Sequence, residues 1–299
     1  MYAGYPIELV PLLRCPVDAA ELEAITRTPT SHLKNAVLRC RKCSNRYPVE
    51  DGIVRFLSAS ALDAKSEHER TLRDRQSVLY DLASEESEQQ QMEIVPTLEA
   101  LRPLAGGDLL EIGCGTGRYT VRLAPLARIT VAIDFSVSSL YTLATRLNPD
   151  WIVGLVHADA TQINVAPMSF DRALSTLVSN LPTAKHRQRM MVNVARGLRK
   201  DGRFVFSTHY YDLRSRIRGM ARSGYYRRGG IYRYLFERSE IVRETGPYFQ
   251  EIACRPIQIA LPLAARLRLP MVSLSRIAER IPLVRMLGEL LLVTANRRL

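Results

Sequence analysis

Leu109-Leu-Glu-Ile-Gly-Cys-Gly-Thr-Gly-Arg118 is the stretch that decides the fold. A short apolar run carries an acid and then runs into three glycines at alternate positions, just before the helix-like segment Tyr119 to Ala124. Glycines at a strand end permit positive φ and let a ligand approach the backbone, while the following helix N-terminus offers free N–H groups. A cofactor is therefore expected across this turn. A dinucleotide fingerprint needs G-x-G-x-x-G, and Arg118 stands where its third glycine would fall, which argues against nicotinamide and flavin dinucleotides.

Outward from this turn, apolar runs alternate with helical stretches: Leu109 to Ile112, Ile129 to Ile133, Ile152 to Val156, Arg172 to Thr176, Arg203 to Ser207, Ile252 to Ile259 and Leu290 to Ala295. Such alternation predicts an α/β fold with a seven-stranded, mainly parallel sheet covered on both faces. Asp134 closes the second run, seventeen residues after Gly117, where a carboxylate can accept hydrogen bonds from both ribose hydroxyls of a nucleotide. His157-Ala-Asp-Ala160 follows the third run. Taken singly, each aspartate could equally be a helix N-cap or a turn residue.

The form Glu111-x-Gly113-x-Gly115-x-Gly117 resembles the first motif of class I S-adenosylmethionine-dependent methyltransferases. Ser169-Phe-Asp-Arg-Ala-Leu-Ser-Thr and Gly197-Leu-Arg-Lys-Asp-Gly-Arg-Phe-Val-Phe-Ser207 resemble that family's fourth strand, and its helix end, turn and fifth strand. The resemblance covers about two thirds of the chain and implies a Rossmann-like methyltransferase sheet with S-adenosylmethionine as cofactor. It assigns Glu111, Gly113 and Gly115 to the methionine end and Asp159 to the adenine amino group. Cys114, Gly117, Phe135, Ala160 and Thr176 complete the candidate cofactor set. Ligands of open α/β sheets meet the carboxyl ends of the strands, which points the acceptor at Ser179-Asn180 and His209-Tyr-Tyr-Asp212. His209 is the candidate general base, with Tyr210 and Asn180 beside it, and a purely structural histidine is the competing reading. Ser179-Asn-Leu-Pro182 lacks the aromatic residue that the signature of amino-group nucleic-acid methylases requires.

Before the sheet, four candidate metal ligands occupy two knuckle-like turns, Cys15-Pro-Val-Asp18 and Cys40-Arg-Lys-Cys43. Structural zinc needs two such pairs around a tetrahedral ion. The flanking sequences, Leu12-Leu-Arg-Cys-Pro-Val-Asp18 and Leu38-Arg-Cys-Arg-Lys-Cys-Ser-Asn-Arg-Tyr-Pro-Val-Glu-Asp-Gly-Ile53, resemble the zinc-ribbon-like domain of the tRNA-methyltransferase activator family. Asp18 stands where a full site has cysteine, so two readings stay open: zinc held by three thiolates and a carboxylate, or a ribbon that has lost its metal and holds by packing. Cys114 and Cys254 read as small apolar packing residues. The expected organisation is a β-rich ribbon over 1–57, a helical connector over 58–100 and the methyltransferase domain over 101–299.

The 299 residues are 46% hydrophobic and 24% charged, the balance of a globular protein. With no long uncharged apolar run and no basic leader, a cytoplasmic protein is expected, and five cysteines suit a reducing interior. A formal charge of +12 favours anionic partners. Eight arginines between Arg214 and Arg238 face one acid, Glu237, with Tyr225, Tyr226, Tyr232, Tyr234 and Phe236 interleaved, which suggests a lid over about 210–238 for an anionic or aromatic acceptor. Over about 262–287, Met271, Leu274, Ile277, Ala278 and Ile281 fall at helical spacing opposite Arg276 and Arg280. This helical insertion reads as packed on the sheet or at a homodimer contact, with peripheral membrane contact as the alternative. Together these features predict methyl transfer to a small-molecule acceptor: a lipid, quinone, polyketide or other secondary metabolite. An RNA methyltransferase is the alternative, because zinc-ribbon-bearing ribosomal RNA guanine methyltransferases resemble this layout, and a non-catalytic cofactor-binding adaptor is a third reading.

Overall fold

A computed structural model describes residues 2–26, 29–57, 71, 87–178, 183–225, 232–261, 267 and 269–298. The amino-terminal stretch forms seven short strands: β1 (Tyr5–Pro6), β2 (Leu13–Arg14), β3 (Leu22–Ile25), β4 (His32–Leu33), β5 (Ala36–Cys40), β6 (Arg46–Glu50) and β7 (Ile53–Arg55). The seven apolar runs named above become β8 (Asp108–Ile112), β9 (Ile129–Asp134), β10 (Val153–His157), β12 (Phe170–Thr176), β13 (Leu198–His209), β16 (Phe249–Ile257) and β17 (Leu290–Arg297). Between them lie the short β11 (Asn164–Val165) and the hairpin of β14 (Ser223–Tyr225) with β15 (Tyr232–Tyr234).

β8, β9 and β10 are buried at every position, as parallel strands covered on both faces must be. The sheet order is β16-β17-β13-β12-β8-β9-β10-β7-β6-β5-β3. From β8 the chain moves outward through β9 and β10, then crosses to the other side through β12 and β13, and β17 inserts antiparallel between β13 and β16. The reversal places a crevice over the carboxyl ends of β8 and β12. Helices over Val137–Arg146 and Ala184–Gly197, capped by the side chains of Ser136 and Thr183, bury Leu140 and Leu143 and Met190, Met191 and Val194. At the opposite end of β8, Asp108 Oδ2 accepts from Arg199 at 2.7 Å and from Arg128 at 2.5 Å, pinning the strand's start.

Among the described residues the sheet has eleven strands where the sequence suggests seven. β7 pairs parallel with β10, so β6, β5 and β3 continue the same sheet antiparallel from there. Pairing removes the exposed edge that β10 would otherwise present. β2 also pairs with β11, and Tyr5 fills the space at Gly154, where a Cβ would stand 2.6 Å from its Cε2. Tyr5, Leu9, Leu13 and Leu38 accordingly share one apolar core with Ile133, Val156 and Phe204.

Of the expected connector, the helix Glu88–Ala100 is seen with Ser87 as its N-cap, while residues 58–70 and 72–86 lie outside the described residues. The helix after the glycine turn is short, Thr120–Leu123. In the insertion a helix runs over Met271–Ala278. It buries Met271, Ser275 and Ala278 and packs on Glu88–Ala100, whereas Ile277 and Ile281 are 57% and 46% exposed. The buried positions follow an i, i+4, i+7 stripe rotated away from Ile277, because Arg276 is drawn to Glu99 at 2.6 Å. No helix among the described residues is long and apolar enough to cross a membrane.

Candidate active site and metal centre

Parallel pairing aligns the carboxyl tips of four neighbouring strands: Ile112 stands beside Ile133 and Ser175, and Asp134 beside His157. Gly113, Gly115 and Gly117 leave β8 with φ of 74°, 54° and 96°, the left-handed region in which a side chain is strained. Their surroundings differ. A Cβ on Gly113 would stand 2.0 Å from Val178 Cγ2 and one on Gly117 2.3 Å from Leu143 Cδ1, whereas one on Gly115 meets nothing within 4 Å. Gly113 and Gly117 are glycines for packing, and Gly115 faces open space.

The Gly115 N–H donates to Asp134 Oδ2 at 2.8 Å, and the Ser136 N–H donates to Asp134 Oδ1 at 2.8 Å. The carboxylate at the tip of β9 is thus tied to the glycine turn, and its remaining lone pairs can accept from hydroxyls. His157 bonds the Phe135 carbonyl at 3.1 Å through Nε2, joining the tips of β9 and β10. Asp159, half-buried two residues beyond β10, accepts from the Thr161 N–H at 2.7 Å, which shapes the loop carrying Asp159 and Ala160.

Glu111 lies under the turn, 2% exposed, and accepts from Thr120 Oγ1 at 2.7 Å. Burial pushes its carboxyl up to about 8, against the opposing hydrogen bond from Thr120 and the nearby Arg118 charge. The same burial, with Asp134 and Glu111 nearby, raises the Cys114 thiol far above its ordinary range, which keeps it an uncharged packing residue.

Arg118 and Glu93 join this set without having stood out in the sequence. Arg118 pairs with buried Glu93 at 3.0 Å, lies 4.8 Å from the centre of the Tyr119 ring and reaches Thr176 Oγ1 at 3.5 Å. Glu93 Oε1 accepts from Ser207 Oγ at 2.6 Å, and the Leu177 N–H donates to the same hydroxyl oxygen at 3.2 Å. One ion pair therefore binds the glycine turn to the tips of β12 and β13 and to the helix Glu88–Ala100. A glutamate on the apolar stretch Met92-Glu-Ile94 is the signal that could have flagged it, since an unpaired acid there would be costly.

His209 ends β13 opposite Leu290, half-buried, with its carbonyl accepting from the Phe236 N–H at 2.9 Å. Tyr210 is buried in the core, with the Arg238 guanidinium 6.0 Å from the centre of its ring. Asn180 and Ser179 lie outside the described residues, as do Tyr226, Arg227 and Arg228 of the lid. Three of the described lid arginines are engaged within the protein. Arg216 pairs with Glu237 at 3.2 Å, Arg222 pairs with Glu240, and Arg214 donates to the Ala260 carbonyl at 2.8 Å. Arg187 grips Glu244 through two bonds of 2.8 and 2.7 Å and stacks on Tyr234 and Phe236 at 4.9 and 5.0 Å.

In the amino-terminal strands, Cys15, Asp18, Cys40 and Cys43 bring one ligand atom each to within 4.8 Å of one another. The Cys15 and Cys43 sulfurs are 3.7 Å apart, and Cys40 Sγ lies 3.4 and 3.6 Å from the two oxygens of Asp18. Zn–S and Zn–O bonds of about 2.3 and 2.0 Å at tetrahedral angles require S···S near ~3.8 Å and S···O near ~3.5 Å. The donor set therefore fits a tetrahedral ion, carboxylate included. Cys40 Sγ also receives the N–H groups of Lys42 and Cys43 at 3.3 and 3.4 Å; burial raises this thiol, and those two donors hold it below its usual value. The Ala20 N–H holds the Asp18 carboxyl down at about 2.

Residues 110–206 match the protein-family model described as a methyltransferase domain. Over 117 residues, 38% of this chain and 47% of the relative, the sequence is 35% identical to a demethylmenaquinone methyltransferase of Clavibacter sepedonicus. The chain thus spans about half the length of that curated relative. Among solved structures, an S-adenosylmethionine-dependent methyltransferase described as putative, from Listeria monocytogenes, is similar with a TM-score of 0.54 at 16% identity, over 70% of this chain and 98% of that one. The N-methyltransferase NodS of Bradyrhizobium japonicum WM9, in complex with S-adenosyl-L-homocysteine, is similar with a TM-score of 0.54 at 16% identity, over 76% of this chain and all of NodS. The glycine turn, the aspartate bound to it and the strands that carry both lie within residues 110–206, the part of the chain that matches the methyltransferase domain.

Proposed function

We propose that the protein transfers the methyl group of S-adenosylmethionine to a small-molecule acceptor bound over the carboxyl ends of β12 and β13. The observation that carries this reading is the bond from Gly115 to Asp134, beside open space at Gly115. In this arrangement Asp134 receives the ribose hydroxyls, the turn over Gly113–Gly117 receives the methionine end, and Asp159 receives the adenine amino group. Phe135 and Ala160 line the base, and Thr176 closes the pocket on the side of Arg118.

The sulfonium supplies an activated methyl group, so the protein's task is to align an acceptor in line with it; such positioning contributes roughly 7–11 kcal/mol to a barrier. His209, at the tip of β13, takes the proton that an oxygen or nitrogen acceptor loses. The similarity to a demethylmenaquinone methyltransferase favours a quinone-type acceptor. The pairing of the lid residues Arg216 and Arg222 with Glu237 and Glu240 weighs against a lid that grips RNA phosphates. Residues 101–299, with the lid over 210–238 and the insertion over 262–287, make up the catalytic part in this reading. Residues 1–57 form a ribbon that holds zinc through Cys15, Asp18, Cys40 and Cys43, and the protein works in the cytoplasm.

Calorimetric titration with S-adenosylhomocysteine is the test. Wild-type protein is expected to bind, and Asp134→Ala to bind at least tenfold more weakly, since two hydrogen bonds to a charged group are lost. Normal binding by Asp134→Ala removes the ribose assignment, and absence of heat from the folded wild type removes the methyltransferase reading.

A further inference from the structure

The metal knuckle and the adenine-side loop are joined by direct hydrogen bonds. Asn164 Nδ2 donates to the carbonyls of Cys15 and Pro16 at 3.1 and 3.2 Å, inside the turn that carries the first two ligands. Beside it, β2 pairs antiparallel with β11 at Leu13–Val165 and Arg14–Asn164, and the Ala166 N–H donates to the Leu12 carbonyl at 2.8 Å. Asn164 in turn ends the loop that begins at Asp159, whose carbonyl accepts from the N–H groups of Gln162 and Ile163 at 3.0 Å each. Four residues separate the aspartate assigned above to the adenine amino group from the asparagine that holds the knuckle.

Within the knuckle the bonds are short-range, apart from the contact of Cys15 Sγ with the Tyr47 hydroxyl of β6 at 3.0 Å. The Ala19 N–H donates to the Cys15 carbonyl and the Cys15 N–H to the Ala20 carbonyl, both at 2.9 Å, with Ala19 at a φ of 57°. Left-handed backbone at a non-glycine residue persists only where its surroundings hold it. An ion bridging Cys15 and Asp18 to Cys40 and Cys43 would clamp this turn to β5 and thereby fix the two carbonyls that Asn164 reads.

We propose that metal binding at Cys15, Asp18, Cys40 and Cys43 is coupled to cofactor binding, with Asn164 as the positioning residue that transmits order from the knuckle to the loop Asp159–Ile163. This rests on the cofactor assignment above, and the coupling is reciprocal: the cofactor tightens the metal by the same factor as the metal tightens the cofactor. Loading exchanges thiol protons for the ion, and no electron transfer is involved.

The experiment compares full-length protein stripped with a chelator and then loaded with cobalt(II) or zinc(II). One equivalent of cobalt is expected to give thiolate charge-transfer and tetrahedral ligand-field absorption, and loading is expected to slow amide hydrogen exchange over 158–166. S-adenosylhomocysteine should bind the loaded form about tenfold more tightly, and in Asn164→Ala that ratio should fall to near one while cobalt absorption persists. Failure to take up cobalt overturns the site. Cobalt uptake with unchanged exchange over 158–166, or with equal cofactor affinity in both forms, overturns the coupling. If neither form binds S-adenosylhomocysteine the methyltransferase reading fails separately, and the exchange measurement still decides whether the knuckle orders the loop.

Discussion

Alanine at Gly113 and alanine at Gly115 should separate a glycine needed for packing from one needed for a ligand. Both residues have positive φ, 74° and 54°, so either substitution strains the backbone by about 1–2 kcal/mol. At Gly113 the new Cβ also meets Val178 Cγ2 at 2.0 Å, and relieving such overlap in a packed site costs about 1–3 kcal/mol more. Gly113→Ala should therefore lose about 2–5 kcal/mol of stability and Gly115→Ala only about 1–2 kcal/mol. The order reverses for binding per unit of stability lost, because the Cβ of Gly115→Ala projects into the open space that the proposed arrangement gives to the cofactor. Urea unfolding of the cofactor-free proteins gives the first quantity, and calorimetry with S-adenosylhomocysteine under folding conditions gives the second. Gly115→Ala should bind more than tenfold more weakly while remaining folded. Wild-type affinity in Gly115→Ala, or equal destabilisation by the two substitutions, would refute the reasoning.

Other perturbations reach the layer under the turn and the acceptor side. Glu111 titrates at about 8 when folded and in the ordinary carboxylate range when unfolded, so the folded state holds an extra proton between those values. Its contribution is complete below about pH 4.5 and is lost as pH rises to about 8, each unit being worth about 1.4 kcal/mol. Denaturation of cofactor-free wild type and Glu111→Gln between pH 5 and 8 should show the wild type losing stability relative to the variant, and parallel profiles would contradict the burial argument. Glu93→Ala leaves Arg118 without its buried partner and should cost roughly 3 kcal/mol in unfolding experiments; a change under 1 kcal/mol would show the pair to be dispensable. His209→Ala should keep its cofactor affinity and lose about a hundredfold or more in turnover on an acceptor that must be deprotonated, whereas unchanged turnover excludes His209 as the base.

The positions of β8, β9 and β10 were legible because parallel strands buried on both faces must be continuous apolar runs, and the antiparallel β17 carries such a run as well. Asp134 stands at the end of the second run, where the sequence expects a carboxylate turned to ribose hydroxyls, and the fold ties it to the Gly115 N–H. The Arg118–Glu93–Ser207 set was not legible, since its members are brought together only by the fold. In the sequence Arg118 registered only as a glycine missing from a different motif. Ile277 was misjudged because helical spacing gives the period of a stripe and not its phase, which the Arg276–Glu99 pair and the burial of Ser275 settle. The joining of β7 to β10 escaped notice because Ile53-Val-Arg55 is too short a run to reveal what it pairs with.

That joining bears on how the chain can be cut. β10 meets water along its backbone in any shortened chain that begins after residue 57, leaving the amides and carbonyls opposite Ile53, Val54 and Arg55 without partners and Gly154 without the Tyr5 ring that fills its hollow. A bared edge of Val-Gly-Leu-Val is a template for pairing with neighbouring molecules. The amino-terminal strands are therefore no detachable accessory: trimming them should yield sticky, poorly soluble material, and exchanging them for another module should succeed only where the graft brings its own strand to cover that edge.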